Sequence, residues 1–133
     1  MKKQWYEELF ADFAKQYESE IFTKGTIGEV DFIEKEINYN KNLKILDVGC
    51  GYGVIGITLA KMLDVKVTML DVNIRAIKLA KRNVELNKLK NVEIIESNGF
   101  ENISKKYNAI ITNPPIRAGK GVIYKIYEDA YKY

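Results

Sequence analysis

The feature that most constrains the fold is a glycine-rich turn between an apolar strand-like run and a helix-like run. The strand-like run is Leu43–Leu46, the turn is Asp47–Gly53, and the helix-like run is Val54–Ala60. Glycine lets the backbone turn sharply and lets a ligand approach without a Cβ in the way. A strand, a glycine turn and a helix in this order are typical of a cradle for nucleotide-type cofactors.

The chain beyond the turn continues to alternate between strand-like and helix-like runs. The strand-like runs are Val65–Leu70, Val92–Ile95 and Tyr107–Thr112, and the helix-like runs are Asn73–Asn87 and Val122–Tyr131. Strands that alternate with crossover helices form a parallel sheet with right-handed connections. We therefore predict an α/β fold, a Rossmann-like, doubly wound and mainly parallel sheet, with residues 43–133 as its core.

The residues before this core have a different pattern. Gln4–Tyr17 has apolar residues at helical spacing, Ile21–Gly28 is rich in turn-forming residues, and Glu29–Ile37 places apolar residues on one face. The sequence thus predicts an N-terminal helical segment over residues 1–40. A chain of 133 residues has room for one domain, so we expect this segment and the core to form a single domain.

The composition excludes several classes of function. The chain has no histidine and one cysteine, Cys50, which excludes a conventional zinc site, a His-based triad and an internal disulfide framework. We predict no metal, and a single thiol fits the reducing cytoplasm. The absence of a run of about 18 apolar residues predicts no membrane partner. The net charge of +3 permits a nucleic-acid partner but does not argue for one, because the lysines are spread along the sequence.

The glycine turn suits a cofactor that brings an amino group rather than a phosphate. The predicted contacts come from Gly49, Gly51, Gly53 and Asp47. The spacing from Gly51 to Gly56 also fits a dinucleotide site, but a pyrophosphate would be repelled by the carboxylate of Asp47. The amino-acid end of S-adenosylmethionine has no phosphate, and Asp47 can receive its cationic amino group. Alternatively, Asp47 only caps the loop.

Three further polar residues are predicted to bind the cofactor. Asp71 ends the second strand, where a carboxylate can accept hydrogen bonds from two ribose hydroxyls. It could instead cap the helix that opens near Asn73, but Asn73 is itself available as the cap, and we include it among the cofactor-binding residues. Asn98 follows the third strand and either binds the adenine amine or is a plain turn asparagine before Gly99.

A second motif, Asn113-Pro114-Pro115-Ile116, follows the fourth strand. It should emerge at the same carboxyl edge of the sheet as the glycine turn. The carbonyls of Asn113 and Pro114 can each accept a hydrogen bond from an exocyclic amine. Two such acceptors orient the nitrogen lone pair toward an electrophilic methyl group and stabilise the developing positive charge, so no strong base is required. The motif therefore predicts methyl transfer to a planar nitrogen, although Asn-Pro-Pro alone could be an ordinary turn.

Together these motifs resemble the class I S-adenosylmethionine-dependent methyltransferases. Asp47–Gly53 resembles their first motif, Asp71 their acidic second-strand motif, and Asn113–Ile116 the Asn-Pro-Pro-aromatic motif of the amino-group methyltransferases. More narrowly, Leu43–Tyr131 resembles the bacterial small-subunit ribosomal RNA guanine-N2 methyltransferases, and Thr112–Lys120 closely matches the shorter relatives of that family. The resemblance implies that S-adenosylmethionine is the cofactor, that ribosomal RNA is a partner, and that Asn113, Pro114, Pro115 and Ile116 are catalytic.

The chain departs from this pattern in three ways. Ile116 replaces the usual Tyr or Phe, which weakens stacking on a base. Residues 4–40 resemble another class I branch whose substrates are small or unknown, as in a chimera of two ancestors. Class I sheets have seven strands, whereas this one is truncated after the fourth. Tyr107–Thr112 would then be an edge strand, and we expect a second copy, the N-terminal helix or a partner chain to cover it.

Three functions follow from these observations. The first, which we predict, is methyl transfer from S-adenosylmethionine to an exocyclic amine of a nucleic-acid base, such as guanine-N2 of ribosomal RNA. The second is a cofactor-binding module or fragment without turnover. The third is a small-molecule methyltransferase, as the N-terminal resemblance implies.

Overall fold

The computed structural model describes residues 19–112 and 119–133, with side chains from residue 27 onward. In chain order the elements are α1 (Ser19–Glu36), β1 (Lys44–Val48), α2 (Val54–Leu63), β2 (Lys66–Asp71), α3 (Ile74–Leu86), β3 (Val92–Glu96), β4 (Ala109–Thr112) and α4 (Lys120–Ala130). The predicted helix over Gln4–Tyr17 and the Asn113–Ile116 motif lie outside the described residues.

The four strands form one parallel sheet in the order β3-β2-β1-β4. The chain first builds outward from β1 through β2 to β3, and it then returns to place β4 on the other side of β1. Such a reversal opens a crevice outside the carboxyl ends of the strands, which is where ligands bind in open α/β sheets. The predictions of a parallel sheet and of an edge position for the fourth strand among the described strands are confirmed.

Helices cover the two faces of the sheet unequally. Helices α1, α2 and α3 contribute to the larger apolar cluster on one face, together with the buried Ile45, Val67 and Met69. On the other face, Leu46, Val48 and Leu70 pack with Phe100 and Ile103, and α4 adds only partly buried residues. Since β1 and β2 are covered on both faces, their interior positions are buried at successive residues, and the polar Asp47 and Thr68 are buried among them.

Helix α1 runs through residues that the sequence predicted to form a turn. The prediction placed a turn-rich segment over Ile21–Gly28 and began the helix at Glu29, but within the described residues α1 runs without a break over Ser19–Glu36. A glycine inside a helix costs only about 1 kcal/mol. Burial of Val30, which is fully enclosed, and of Ile37 against the core outweighs that cost, so the apolar face of the helix prevails over the turn propensity.

The fourth strand and the last helix are the least covered part of the described fold. All four residues of β4 are half-buried, and α4 has no buried residue. The chain beyond α4 is nevertheless anchored, because the Tyr107 N–H donates to the Tyr133 carbonyl oxygen at 2.7 Å. The Tyr133 ring also stacks on Phe100 with centroids 5.1 Å apart. Helix α4 is thus fixed at its end while much of its surface remains exposed.

Candidate functional site

The turn between β1 and α2 has a left-handed backbone at its three glycines. The φ angles are 76° at Gly49, 57° at Gly51 and 89° at Gly53, values that are costly for residues with a Cβ. The N–H groups of Gly49 and Cys50 both donate to the Leu70 carbonyl oxygen at 2.9 Å. A Cβ built on Gly51 would meet nothing within 4 Å. The turn is therefore tied to the end of β2 and presents open space above Gly51.

Asp71 joins this turn to the start of the next helix. Its Oδ2 accepts a hydrogen bond from the Gly51 N–H at 2.9 Å, and its Oδ1 accepts one from the Asn73 N–H at 2.8 Å. An ionised carboxylate has about four lone-pair sites, so these two bonds leave acceptor capacity at the carboxyl edge. Asp71 is half-buried, and further donors can therefore reach it. The predicted hydrogen bonds from two ribose hydroxyls are compatible with this placement and stay a prediction.

The two predicted asparagines lie at the same edge and are both exposed. Asn73 caps α3, because its Oδ1 accepts from the N–H groups of Arg75 and Ala76 at 3.0 and 3.4 Å. This confirms Asn73, rather than Asp71, as the helix cap. The Asn98 side chain donates to the Glu101 carboxylate at 3.5 Å, as a turn residue would. The cofactor contacts of Asn73 and Asn98 stay predictions.

Asp47 lies beneath the glycine turn rather than on its surface. Its side chain is almost completely buried and accepts a hydrogen bond from the Gly56 N–H in the first turn of α2. Burial, followed by repulsion from Asp71, raises the pKa of the Asp47 carboxyl to about 7. A cationic group brought close to Asp47 would favour its ionised form. The predicted contact of Asp47 with an amino group stays a prediction. The hydrogen bond from the Gly56 N–H is a capping contact, as in the alternative interpretation of Asp47.

Cys50 contributes no reactive thiolate to this edge. Burial and the neighbouring Asp47 and Asp71 carboxylates raise the pKa of its thiol above the ordinary value. A thiol with a raised pKa stays protonated at neutral pH and is a poor nucleophile. Covalent catalysis by this cysteine is therefore not a function that the site supports.

Gly56 is a site residue that the sequence prediction did not include. A Cβ at this position would lie 2.4 Å from the Met69 sulfur and 3.2 Å from Asp47 Oδ2. Only glycine permits this close approach of α2 to β2, the usual role of the last glycine in such turns. The signal was present in the spacing from Gly51 to Gly56, which we interpreted as a dinucleotide pattern.

An apolar surface beside Asp71 was also missed. Val72 and Ile74 are exposed at 64% and 52%, and they flank Asn73 where the chain leaves β2. Exposed aliphatic side chains next to a polar hydrogen-bonding group suit the flat apolar face of a ring. The sequence signal was two aliphatic residues directly after the strand, in a segment where a loop would usually be polar.

The fourth strand leads the chain to this same edge. Thr112, the last residue of β4, is in register with Val48, the last residue of β1. The Asn113–Ile116 motif follows Thr112 and lies outside the described residues, so its catalytic assignment stays a prediction. Within the part of the chain that the structure describes, no group of three or more acidic or thiol side chains could hold a metal ion, and no helix is long and apolar enough to span a membrane.

Comparison with known proteins adds a family and several relatives. The family model described as methyltransferase small domain matches residues 18–132. The uncharacterized protein YbxB of Bacillus subtilis is 41% identical over 117 residues, which cover 77% of this chain and 58% of that protein. Ribosomal RNA small subunit methyltransferase C of Actinobacillus pleuropneumoniae is 36% identical over 87 residues, covering 65% and 26%. Release factor glutamine methyltransferase of Fusobacterium nucleatum is 50% identical over 74 residues, covering 53% and 21%.

A solved structure shares both the fold and part of the sequence. The tRNA (uracil-54, C5)-methyltransferase of Pyrococcus abyssi, solved with S-adenosyl-L-homocysteine, superposes with a TM-score of 0.59 at 34% identity. The match covers 71% of this chain and 23% of that structure. The chain thus spans between about a fifth and three fifths of the lengths of these proteins.

Proposed function

The chain belongs to the methyltransferase small domain family, and on that premise we propose that it binds S-adenosylmethionine and methylates an exocyclic amine of a nucleic-acid base. The observation that carries the proposal is the Asp71 carboxylate, which is bonded to the Gly51 N–H and retains acceptor capacity beside the open glycine turn. Binding would occur at the carboxyl ends of β1 and β2, where the fold places its crevice.

The residues present at this edge fit the cofactor. The space above Gly51 admits a ligand close to the backbone, and Asp71 can accept from ribose hydroxyls. Val72 and Ile74 offer apolar surface to the adenine ring. Asp47 is held close to its protonation midpoint at neutral pH, so a cationic amino group would favour its charged form. When bound, S-adenosylmethionine supplies an electrophilic methyl group.

The chain's own contribution to transfer would be positioning. We propose that the Asn113 side-chain carbonyl and the Pro114 backbone carbonyl accept hydrogen bonds from the two N–H bonds of the target amine. This arrangement directs the nitrogen lone pair toward the cofactor pocket and stabilises the positive charge that develops on nitrogen, until one of the two N–H protons is released to water. Pro115 restricts the backbone after these acceptors, and Ile116 would offer an aliphatic surface to the base.

The proposed acceptor is guanine-N2 of ribosomal RNA. The support is the similarity to ribosomal RNA small subunit methyltransferase C over 65% of this chain, together with the Asn-Pro-Pro motif, which suits a planar amine. That relative is longer than this chain, so the activity and the partner are part of the proposal.

A second candidate acceptor is the side-chain amide of glutamine. The release factor glutamine methyltransferase is 50% identical to this chain over 74 residues, and an amide nitrogen is planar like a base amine. The same two carbonyl acceptors could hold it. Labelled methyl transfer to ribosomal subunits, to a glutamine-containing release-factor peptide and to a metabolite mixture would distinguish the base, amide and small-molecule acceptors.

Replacing Asp71 by Ala should weaken S-adenosylhomocysteine binding by roughly 1–3 kcal/mol, because ribose hydroxyls would lose their charged acceptor and the glycine turn would lose its tether. Isothermal titration calorimetry measures the change. Asp129→Ala is the matched control, since Asp129 lies on α4 and pairs with Lys132. Unchanged affinity in the Asp71 variant, or tight NADH binding with no response to S-adenosylhomocysteine, would contradict the proposal.

We also propose that the chain self-associates through the free side of β4. Among the described strands β4 pairs only with β1, and Val122, Tyr124 and Tyr127 on the adjacent helix are exposed. Burying several such residues contributes several kcal/mol at about 25 cal/mol per Å². Analytical ultracentrifugation should detect a dimer at micromolar concentration. A cooperative, well-folded monomer would contradict self-association and favour cover by the N-terminal residues.

A further inference from the structure

The fold gathers lysines that are widely spaced in the sequence. Lys44 is the first residue of β1 and Lys66 is the first residue of β2, and the two are register partners on adjacent strands. Neighbouring strands lie about 4.8 Å apart, and like charges directly opposite each other destabilise a sheet. Two lysines at such a position therefore favour an anionic partner. This edge is the amino edge of the sheet, opposite the glycine turn.

A groove of about 290 Å³ opens at the amino edge. Its lining includes Lys44, Lys66, Lys90, Lys105 and Glu93. Glu93 lies 3.8 Å from Lys105, and both side chains are largely exposed. Among the described residues no ion pair involves Lys44, Lys66 or Lys90. The groove thus has a surplus of positive charge that the described chain does not neutralise.

The backbone that carries these lysines is held in place by two asparagines. The Asn91 side chain donates to the carbonyl oxygens of Ala60 and Val65 at 2.9 and 2.7 Å. The Lys44 N–H donates to the Asn108 side-chain oxygen at 2.8 Å. The Asn91 bonds join the entry of β3 to the segment that leads into β2, and the Asn108 bond joins the entry of β4 to the start of β1. The ammonium groups therefore extend from a fixed frame, which reduces the ordering cost when a polyanion binds several of them together.

We propose that this groove binds the phosphate backbone of RNA. Lysines at close spacing bind phosphates through charge and counterion release, without reading sequence. The groove lies about one strand length, roughly 17 Å, from the glycine turn. An RNA that reaches both edges must be longer than a nucleotide, which favours a structured RNA over a small molecule as the partner. The inference rests on the proposed function for the choice of RNA as the polyanion.

The test compares two triple variants with the same change in charge. The groove variant is Lys44→Gln, Lys66→Gln and Lys90→Gln, and the control is Lys78→Gln, Lys81→Gln and Arg82→Gln on the exposed face of α3. Fluorescence anisotropy with a labelled oligouridylate and with a labelled RNA hairpin measures affinity at several salt concentrations. Circular dichroism and S-adenosylhomocysteine titration check that both variants retain the fold and the cofactor site.

We expect the groove variant to lose about tenfold or more in affinity for RNA. The plot of log affinity against log salt concentration has a negative slope, which should become shallower by about 2 in this variant. Each neutralised phosphate contact contributes about 0.7 to the steepness for a single strand, and the variant removes three lysines. The control should change much less. Equal losses in both variants, or an unchanged groove variant, would overturn the inference, as would equally tight binding of poly-glutamate. A groove variant that keeps S-adenosylhomocysteine binding and loses RNA separates this result from any failure of the cofactor site.

Discussion

Replacing Asn113 by Ala should lower methyl transfer by at least about 100-fold while S-adenosylhomocysteine affinity changes little. The loss is the usual scale for one preorganised polar group that acts on the reacting atoms. In our proposal the Asn113 carbonyl contacts the target amine and not the body of the cofactor, so rate and affinity should separate. Single-turnover transfer of a labelled methyl group measures the rate, and calorimetry measures the affinity.

The control for this prediction is Asn42→Ala, because Asn42 is an exposed asparagine just before β1. It should leave both quantities unchanged. An Asn113 variant that transfers methyl groups at the normal rate would refute the catalytic assignment. A wild-type chain that binds S-adenosylhomocysteine and transfers nothing to any of the tested acceptors would favour a binding module without turnover.

The contribution of Asp47 to the stability of the unliganded protein should fall as the pH rises from about 4 to about 7, because its carboxyl ionises in the unfolded state before it ionises in the native state. The pKa of this carboxyl is raised from 3.8 to about 7, so over this range the native state keeps a proton that the unfolded state has released. The unfolded state then binds fewer protons, and the free energy of unfolding falls as pH increases. A shift of this size corresponds to at most about 4 kcal/mol, with no further change from Asp47 above about pH 8.

Asp47→Asn isolates this contribution, because it removes the charge and retains an oxygen that can accept from the Gly56 N–H. Urea unfolding at about pH 4 and about pH 8 measures the free energy of unfolding for both proteins. The variant should gain stability relative to wild type as the pH rises, whereas Asp64→Asn on the exposed surface should not. A difference between wild type and Asp47→Asn that is independent of pH would show that the buried carboxyl is not held near neutrality.

Much of the fold was predictable because strand-like and helix-like runs can be located in the sequence. These runs come in the regular order strand, helix, strand, which indicated a parallel sheet, and each predicted strand overlaps the observed one. The resemblance to class I methyltransferases is confirmed by the family match over residues 18–132. The turn predicted over residues 21–28 was wrong because local glycine propensity is weak compared with burial of Val30 and Ile37 in tertiary contacts.

The position of the candidate site in the fold was predictable from the sequence, but the burial of its side chains was not. Gly49, Gly51 and Asp71 reach the carboxyl edge because each lies at the end of a strand, and strand ends can be located from the sequence. The burial of Asp47 depends on how α2 packs over the carboxyl ends of β1 and β2, and the position of Asp47 in the sequence does not reveal that depth. The lysine groove was hidden for a similar reason. Lys44 and Lys66 are 22 positions apart along the chain, and only the strand order makes them neighbours.

Gly56 and Met69 pack so closely that side chains at these two positions would compete for the same volume. Met69 is fully buried, and its sulfur occupies the volume that a side chain at position 56 would need. A Cβ at position 56 would lie 2.4 Å from the Met69 sulfur and 2.8 Å from its Cγ, distances too short for both side chains to fit. A larger residue at 56 would therefore be tolerated only with a smaller residue at 69. Among homologues, we expect the side-chain volumes at these positions to covary, so that a larger residue at 56 accompanies a smaller one at 69. A change in the glycine turn would then be matched by a change in β2.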